Sequence, residues 1–164
     1  MRNLAAALCL AIALLMGGAG ASWSADFQKG YKAAQRGDYA TALREWTPLA
    51  EQGNAAAQFS LGVMYDNGHG VPQDYKAAVK LYRLAAEQGY ANAQFNLGVM
   101  YLNGYGFPQD YIRAHMWSNI AYANGYKDAS SEMRDIAAKR MSPTAIETAQ
   151  RLARECMARD YKGC

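Results

Sequence analysis

Few residues in this chain are of types that do chemistry, and their spacing is unpromising for it. His69 and His115 lie far apart, and neither has a second nitrogen or sulfur donor at metal-ligand spacing. His69 sits between glycines, in Gly68-His69-Gly70, and reads as a solvated loop residue; His115 lies in a helical stretch and reads as packed or half-exposed. Gly68-His69-Gly70 and Gly104-Tyr105-Gly106 are glycine-rich, yet lack the preceding strand and the Lys-Ser/Thr pair that a phosphate loop needs. Neither Ser-x-x-Lys nor Gly-x-Ser-x-Gly occurs, so acyl-enzyme chemistry has no visible nucleophile. Lys76, Lys80 and Arg83 fall at i, i+4 and i+7 with no acid among them. Solubility is their default role, and contact with an anionic lipid or acidic peptide the sharper one. No catalytic residue, metal or cofactor is expected.

The 164 residues suit one domain or one compact array, with 51% hydrophobic and 19% charged residues. That share of apolar residues supports a core and excludes a disordered chain. The net charge of +3 is not concentrated in a basic footprint, which argues against a nucleic-acid partner. The N-terminus has the pattern of an export signal. Arg2 supplies the positive region, Leu4–Met16 is an apolar run, and Ala19-Gly20-Ala21 offers small residues for cleavage. Thirteen apolar residues reach about 20 Å as a helix, short of the roughly 30 Å hydrocarbon core. A signal peptide over 1–21 is therefore expected, with Ala25 as a second possible cleavage position, and no stable membrane insertion after removal. Cys9 lies inside the apolar run. The mature chain, 22–164, is expected to be exported, periplasmic or extracellular, where disulfides persist.

The elements that position these residues are set by a repeat. Residues 55–75 recur at 91–111, a shift of 36 with 16 of 21 positions identical. A period of this size denotes a solenoid of stacked supersecondary units. In each unit Ala57, Leu61 and Tyr65 form an apolar helical stripe, followed by Gly68 (Gly104) where a left-handed C-terminal glycine belongs. Pro72 and Pro108 stop the first helix; Asp74 and Asp110 cap a second that ends near Gly89 and Gly125. Gly62 and Gly98 sit mid-helix, which costs roughly 1 kcal/mol against Ala unless a partner helix of the same unit approaches closely.

The flanks are weaker copies. Asp38-Tyr39-Ala40-Thr41-Ala42 matches a second-helix start, preceded by a first helix over 26–35 and a turn four residues shorter. After Gly125 comes a degenerate pair, its last helix opened by Ser142-Pro143. The expected fold is all-α: a right-handed α/α solenoid of about four helix-turn-helix repeats, eight helices in all. The units are 26–53, 54–89, 90–125 and a capping unit over 126–164.

The pattern Ala-x-Ala-Gln-Phe-x-Leu-Gly-x-Met-Tyr-x-x-Gly-x-Gly-x-Pro-Gln-Asp-Tyr resembles the Sel1-like repeat, a variant of the tetratricopeptide repeat with a longer loop between its helices. The resemblance implies an adaptor or scaffold that binds a protein or peptide and is not an enzyme; a monomer acting in the cell envelope is expected. Two alternatives stay open. One is a cell-wall-active or β-lactam-hydrolysing enzyme, an activity attributed to cysteine-rich members whose Cys pairs are spaced like Cys156 and Cys164. The other is a structural chaperone of an envelope or polysaccharide-export complex.

Two specific expectations follow from repeat alignment. Cys156 falls at the place of Ala85 and Cys164 at that of Ala93, small positions flanking an inter-unit turn, so the two are expected to form a disulfide. First helices also carry a second apolar stripe, Phe59 and Val63, nearly opposite Leu61. Phe95, Val99 and Leu102 repeat it, and Phe27 with Tyr31 begins it. With Asn67 and Asn103 at its edge, this stripe is expected to form a concave partner-binding groove, or else to wedge between units as core.

Overall fold

A computed structural model describes residues 27–164. The expected leader, Cys9 and both cleavage positions lie outside the described residues. The described chain is α1 (27–35), α2 (Tyr39–Glu51), α3 (Ala55–Asn67), α4 (Tyr75–Ala86), α5 (Ala91–Asn103), α6 (Tyr111–Ala123), α7 (Lys127–Ala138) and α8 (Pro143–Ala158). No strand occurs among the described residues. Consecutive helices from α2 to α7 pack on one another, while α8 packs on α6 rather than on α7.

The helix ends are set by the residues singled out for them. Asp74 Oδ1 accepts from the Lys76 and Ala77 amides at 2.9 and 3.0 Å, and Asp110 Oδ1 from the Arg113 amide at 2.9 Å. Each such cap satisfies amides that a helix start leaves orphaned. Gly68 and Gly104 end α3 and α5 with φ of 69° and 74°, where a side chain would be strained. Ser142 caps α8 through the Ala145 amide at 3.2 Å, with Pro143 in the first turn. The helix α2 runs on through Pro48.

The mid-helix glycines are explained by contact. A Cβ on Gly62 would lie 2.6 Å from the Tyr82 ring of α4, the partner helix of the same unit. In the next unit Ser118 replaces Tyr82, and Gly98 instead faces the Met133 sulfur of α7 at 3.1 Å, with the Ala114 carbonyl of α6 at 3.3 Å. The apolar interior forms one cluster around Ala42, Trp46, Leu49, Leu61 and Met64, and another around Tyr82, Leu97, Met100, Trp117 and Ile120. Phe59, Val63 and Tyr65 of α3 pack against the second cluster, while Leu81 of α4 packs against the first, so the two interlock.

A polar clasp repeats at each central junction. The buried Gln58 donates from Nε2 to the Ala50 carbonyl of the preceding unit at 3.0 Å, and its Oε1 accepts from Gln88 at 2.8 Å. Gln94 likewise donates to the Ala86 carbonyl at 3.1 Å and accepts from Asn124 at 2.8 Å. Each side chain thereby adds a second hydrogen bond to a helix-end carbonyl that also accepts from the Gly53 or Gly89 amide at 3.0 Å. One period further on stands Ser130, too short to reach; its buried hydroxyl has no partner among the described residues. There the clasp stops. The C-terminal tail meets it instead: Tyr161 OH donates to Asn124 Oδ1 at 2.9 Å.

Cys156 and Cys164 lie with sulfurs 2.07 Å apart and Cα atoms 5.7 Å apart, the geometry of a disulfide. Between them, Asp160 and Tyr161 take φ of 49° and 64°, turning the tail back toward α6.

Candidate functional site

The second apolar stripe of the first helices is half in and half out of the core. Phe59 is half-buried, its ring centroid 5.8 Å from Tyr82 and 5.2 Å from Tyr90, the residue that opens the next unit. Phe95 repeats this against Tyr126 at 4.8 Å, and Phe27 stacks on Trp46 at 5.7 Å. The Trp46 indole N–H also donates to the Phe27 carbonyl at 3.2 Å. Phe59 and Phe95 thus meet the residue that opens the following unit, whereas Phe27 packs within its own unit.

The structure gathers Tyr31, Phe59 and Val63 into a recess of about 310 Å³, completed chiefly by Tyr39, Trp46 and His69. Tyr31 is 47% exposed, far more than a residue with only a packing role requires. Phe95, Val99 and Leu102 are half-buried in the following unit and do not line this recess. Asn67 and Asn103 are exposed at helix ends, but their amides turn back to the Val63 and Val99 carbonyls at 2.9 and 3.1 Å. Their hydrogen-bonding role is thus partly spent on their own helices.

His69 enters the recess through its loop. Its ring stacks on Tyr39 at 4.7 Å, and Tyr105 stacks on Tyr75 at the same distance one unit on. Gly70 and Gly106 make this possible, because a Cβ would lie 2.5 Å from Tyr39 Cβ and 2.9 Å from the Tyr75 carbonyl oxygen respectively. The glycine loops accordingly clamp each unit to the second helix before it. His115 is buried on α6, with Nδ1 3.0 Å from the Asn119 amide. Burial holds its imidazole below the ordinary value, helped by the Arg134 charge, which favours the neutral ring.

One polar group near the first-helix face has no counterpart in the repeat pattern. Asp66 Oδ2 accepts from the buried Tyr82 hydroxyl at 3.1 Å. Burial pushes the Asp66 carboxyl above its ordinary value, and burial together with the Asp66 charge pushes the Tyr82 phenol up. Only the departure from Leu102 in the other unit marks Asp66 in the sequence. Among the described residues, no group of three or more His, Cys, Asp or Glu side chains could hold a metal ion. No helix among them is long and apolar enough to cross a membrane.

Stacked two-helix units with a fixed period, clasped end to end, define the α/α solenoid class. The chain carries two Sel1 repeats, at residues 55–90 and 91–126. It is similar to a protective antigen present in uropathogenic Escherichia coli strains that displays an SLR fold. The TM-score is 0.79 at 28% identity, over 85% of this chain and 31% of that one. It is also similar to a Sel1 repeat protein from Oxalobacter formigenes, with a TM-score of 0.59 at 26% identity, over 82% of this chain and 63% of that one. The chain thus spans about a third of the first structure's length. Among curated proteins, none matches it in sequence. Sel1-repeat proteins are typically protein-interaction scaffolds.

Proposed function

We propose that this protein is an exported, non-enzymatic scaffold that binds a protein or peptide partner in the cell envelope along its first helices. The observation that carries this is the recess of about 310 Å³, where an exposed Tyr31 stands beside the accessible edges of Phe59 and Val63. Aromatic residues held rigidly around an apolar recess are the usual anchors of a protein interface. Export is supported by the leader pattern and by the Cys156–Cys164 geometry, since disulfides persist in oxidising compartments.

The test uses a photo-crosslinking side chain at Val63 and, as a control, at exposed Lys139 on the far side of the sequence, in native envelopes. A discrete adduct of one protein at Val63, absent at Lys139 and lost with Tyr31→Ala, supports the scaffold role. Tyr31→Ala is expected to shift Tm by no more than about 2–4 °C, as an exposed substitution does. Hydrolysis of nitrocefin or of muropeptides by the purified chain, abolished by one point substitution, would overturn the non-enzymatic reading.

A further inference from the structure

A second recess lies away from the first-helix stripe, where the loop 104–109 leans over the N-terminal half of α4. Gly106 is pressed against Tyr75 and Val79 there, and Tyr105 stacks on Tyr75. Two adjoining hollows of about 530 and 270 Å³ share Lys76 and Gly106 as walls, and Lys80 and Arg83 line the smaller one. The three cations are exposed. Lys76, Lys80 and Arg83, like most of the described cations, form no ion pair among the described residues. The flanking carboxylates of α4 leave them so: Asp74 caps the helix amides, and Glu87 lies beyond Arg83 without pairing to it.

This arrangement belongs to one junction only. The corresponding positions are Ala40, Arg44 and Thr47 on α2, and Ile112, Met116 and Asn119 on α6. Arg83 is also held in place, its guanidinium carbon 5.8 Å from the centroid of Phe107, whose ring stacks on Tyr101 at 4.1 Å.

We propose that this cleft binds an acidic peptide segment in extended form, with alternate carboxylates paired to Lys76, Lys80 and Arg83. The spacing fits. Helical rise puts Lys80 about 6 Å and Arg83 about 10 Å along the axis from Lys76, while alternate side chains of an extended strand stand about 6.8 Å apart. The cations run along α4 beside two shallow, open hollows, a line of charge that matches a strand. Phe107 is already covered by Tyr101 and Arg83, leaving no free aromatic face for base stacking, so single-stranded nucleic acid lacks its usual platform.

The experiment is fluorescence anisotropy with a labelled heptapeptide of alternating glutamate and valine, at low and physiological salt. The expected result is saturable binding, weakened about threefold by Lys80→Ala and more than about tenfold by Lys76→Ala with Lys80→Ala, and weaker at higher salt. Lys139→Ala, outside the cleft, leaves it unchanged. Equal loss from Lys139→Ala, or no loss from the double variant, would overturn the proposal. So would anionic phosphatidylglycerol vesicles or oligothymidylate binding more tightly than the peptide with the same dependence on Lys76 and Lys80. All variants replace exposed side chains, and circular dichroism checks that each retains the fold.

Discussion

Asp66 shows how a single departure from a repeat acquires its own chemistry. Leu102 occupies the same place one unit later, so the pattern alone marks Asp66 as different without revealing that it lies beside a buried phenol. Folding raises its carboxyl above the ordinary 3.8 through desolvation, with the Tyr82 hydrogen bond opposing. A carboxyl raised on folding favours the native state below its unfolded value, and that contribution is lost as pH rises through the folded value. Asp66→Asn keeps an acceptor for the Tyr82 hydroxyl and removes the charge. It is expected to melt higher than the parent at pH 7, with the gap closing as pH falls toward 3.8; thermal melts across that range test it. Equal Tm at pH 7 would show that Asp66 remains well solvated. The mid-helix glycines were legible as close-approach sites, and Gly62 meets Tyr82 as anticipated. That Met133 serves Gly98 was not, because Met133 comes from a unit with no detectable repeat.

Among the elements, the helix boundaries were readable because Asp, Gly and Pro act on their own backbone, within a turn of where they stand. The face each helix presents was less so. A 3.6-residue period puts Phe59 and Val63 opposite Leu61, but it cannot say that Tyr90 of the next unit meets that side. The stripe consequently divides its role between wedge and recess. The last element is the most exposed to change. The helix α8 packs on α6 and is joined to a tail returned through Cys164 and Tyr161. On the loop-entropy account, a ring this short contributes about 2–3 kcal/mol. Cys164→Ser is expected to lower the denaturant midpoint accordingly with little change in m. Two alkylatable thiols in the exported protein without prior reduction would show that the bond does not form there.

At the scale of the whole molecule, the fold was the most legible part, because a 36-residue period states the architecture before any side chain is placed. The clasp was invisible in advance: Gln58 and Gln94 looked like two more matching letters. Its geometry has a consequence for how such a chain can grow. Each junction is written in the same donor and acceptor atoms, so a new unit of one full period finds both its neighbours already fitted to it. Further on, Ser130 stands in place of the clasp glutamine, and the Tyr161 hydroxyl meets Asn124 instead. Duplication of residues 55–90 in place is therefore expected to give a longer folded array, with a larger m-value in proportion to its added surface. A duplication one residue shorter should misalign the clasp and unfold at lower denaturant. Lineages can then lengthen this array by whole-unit copying in its middle.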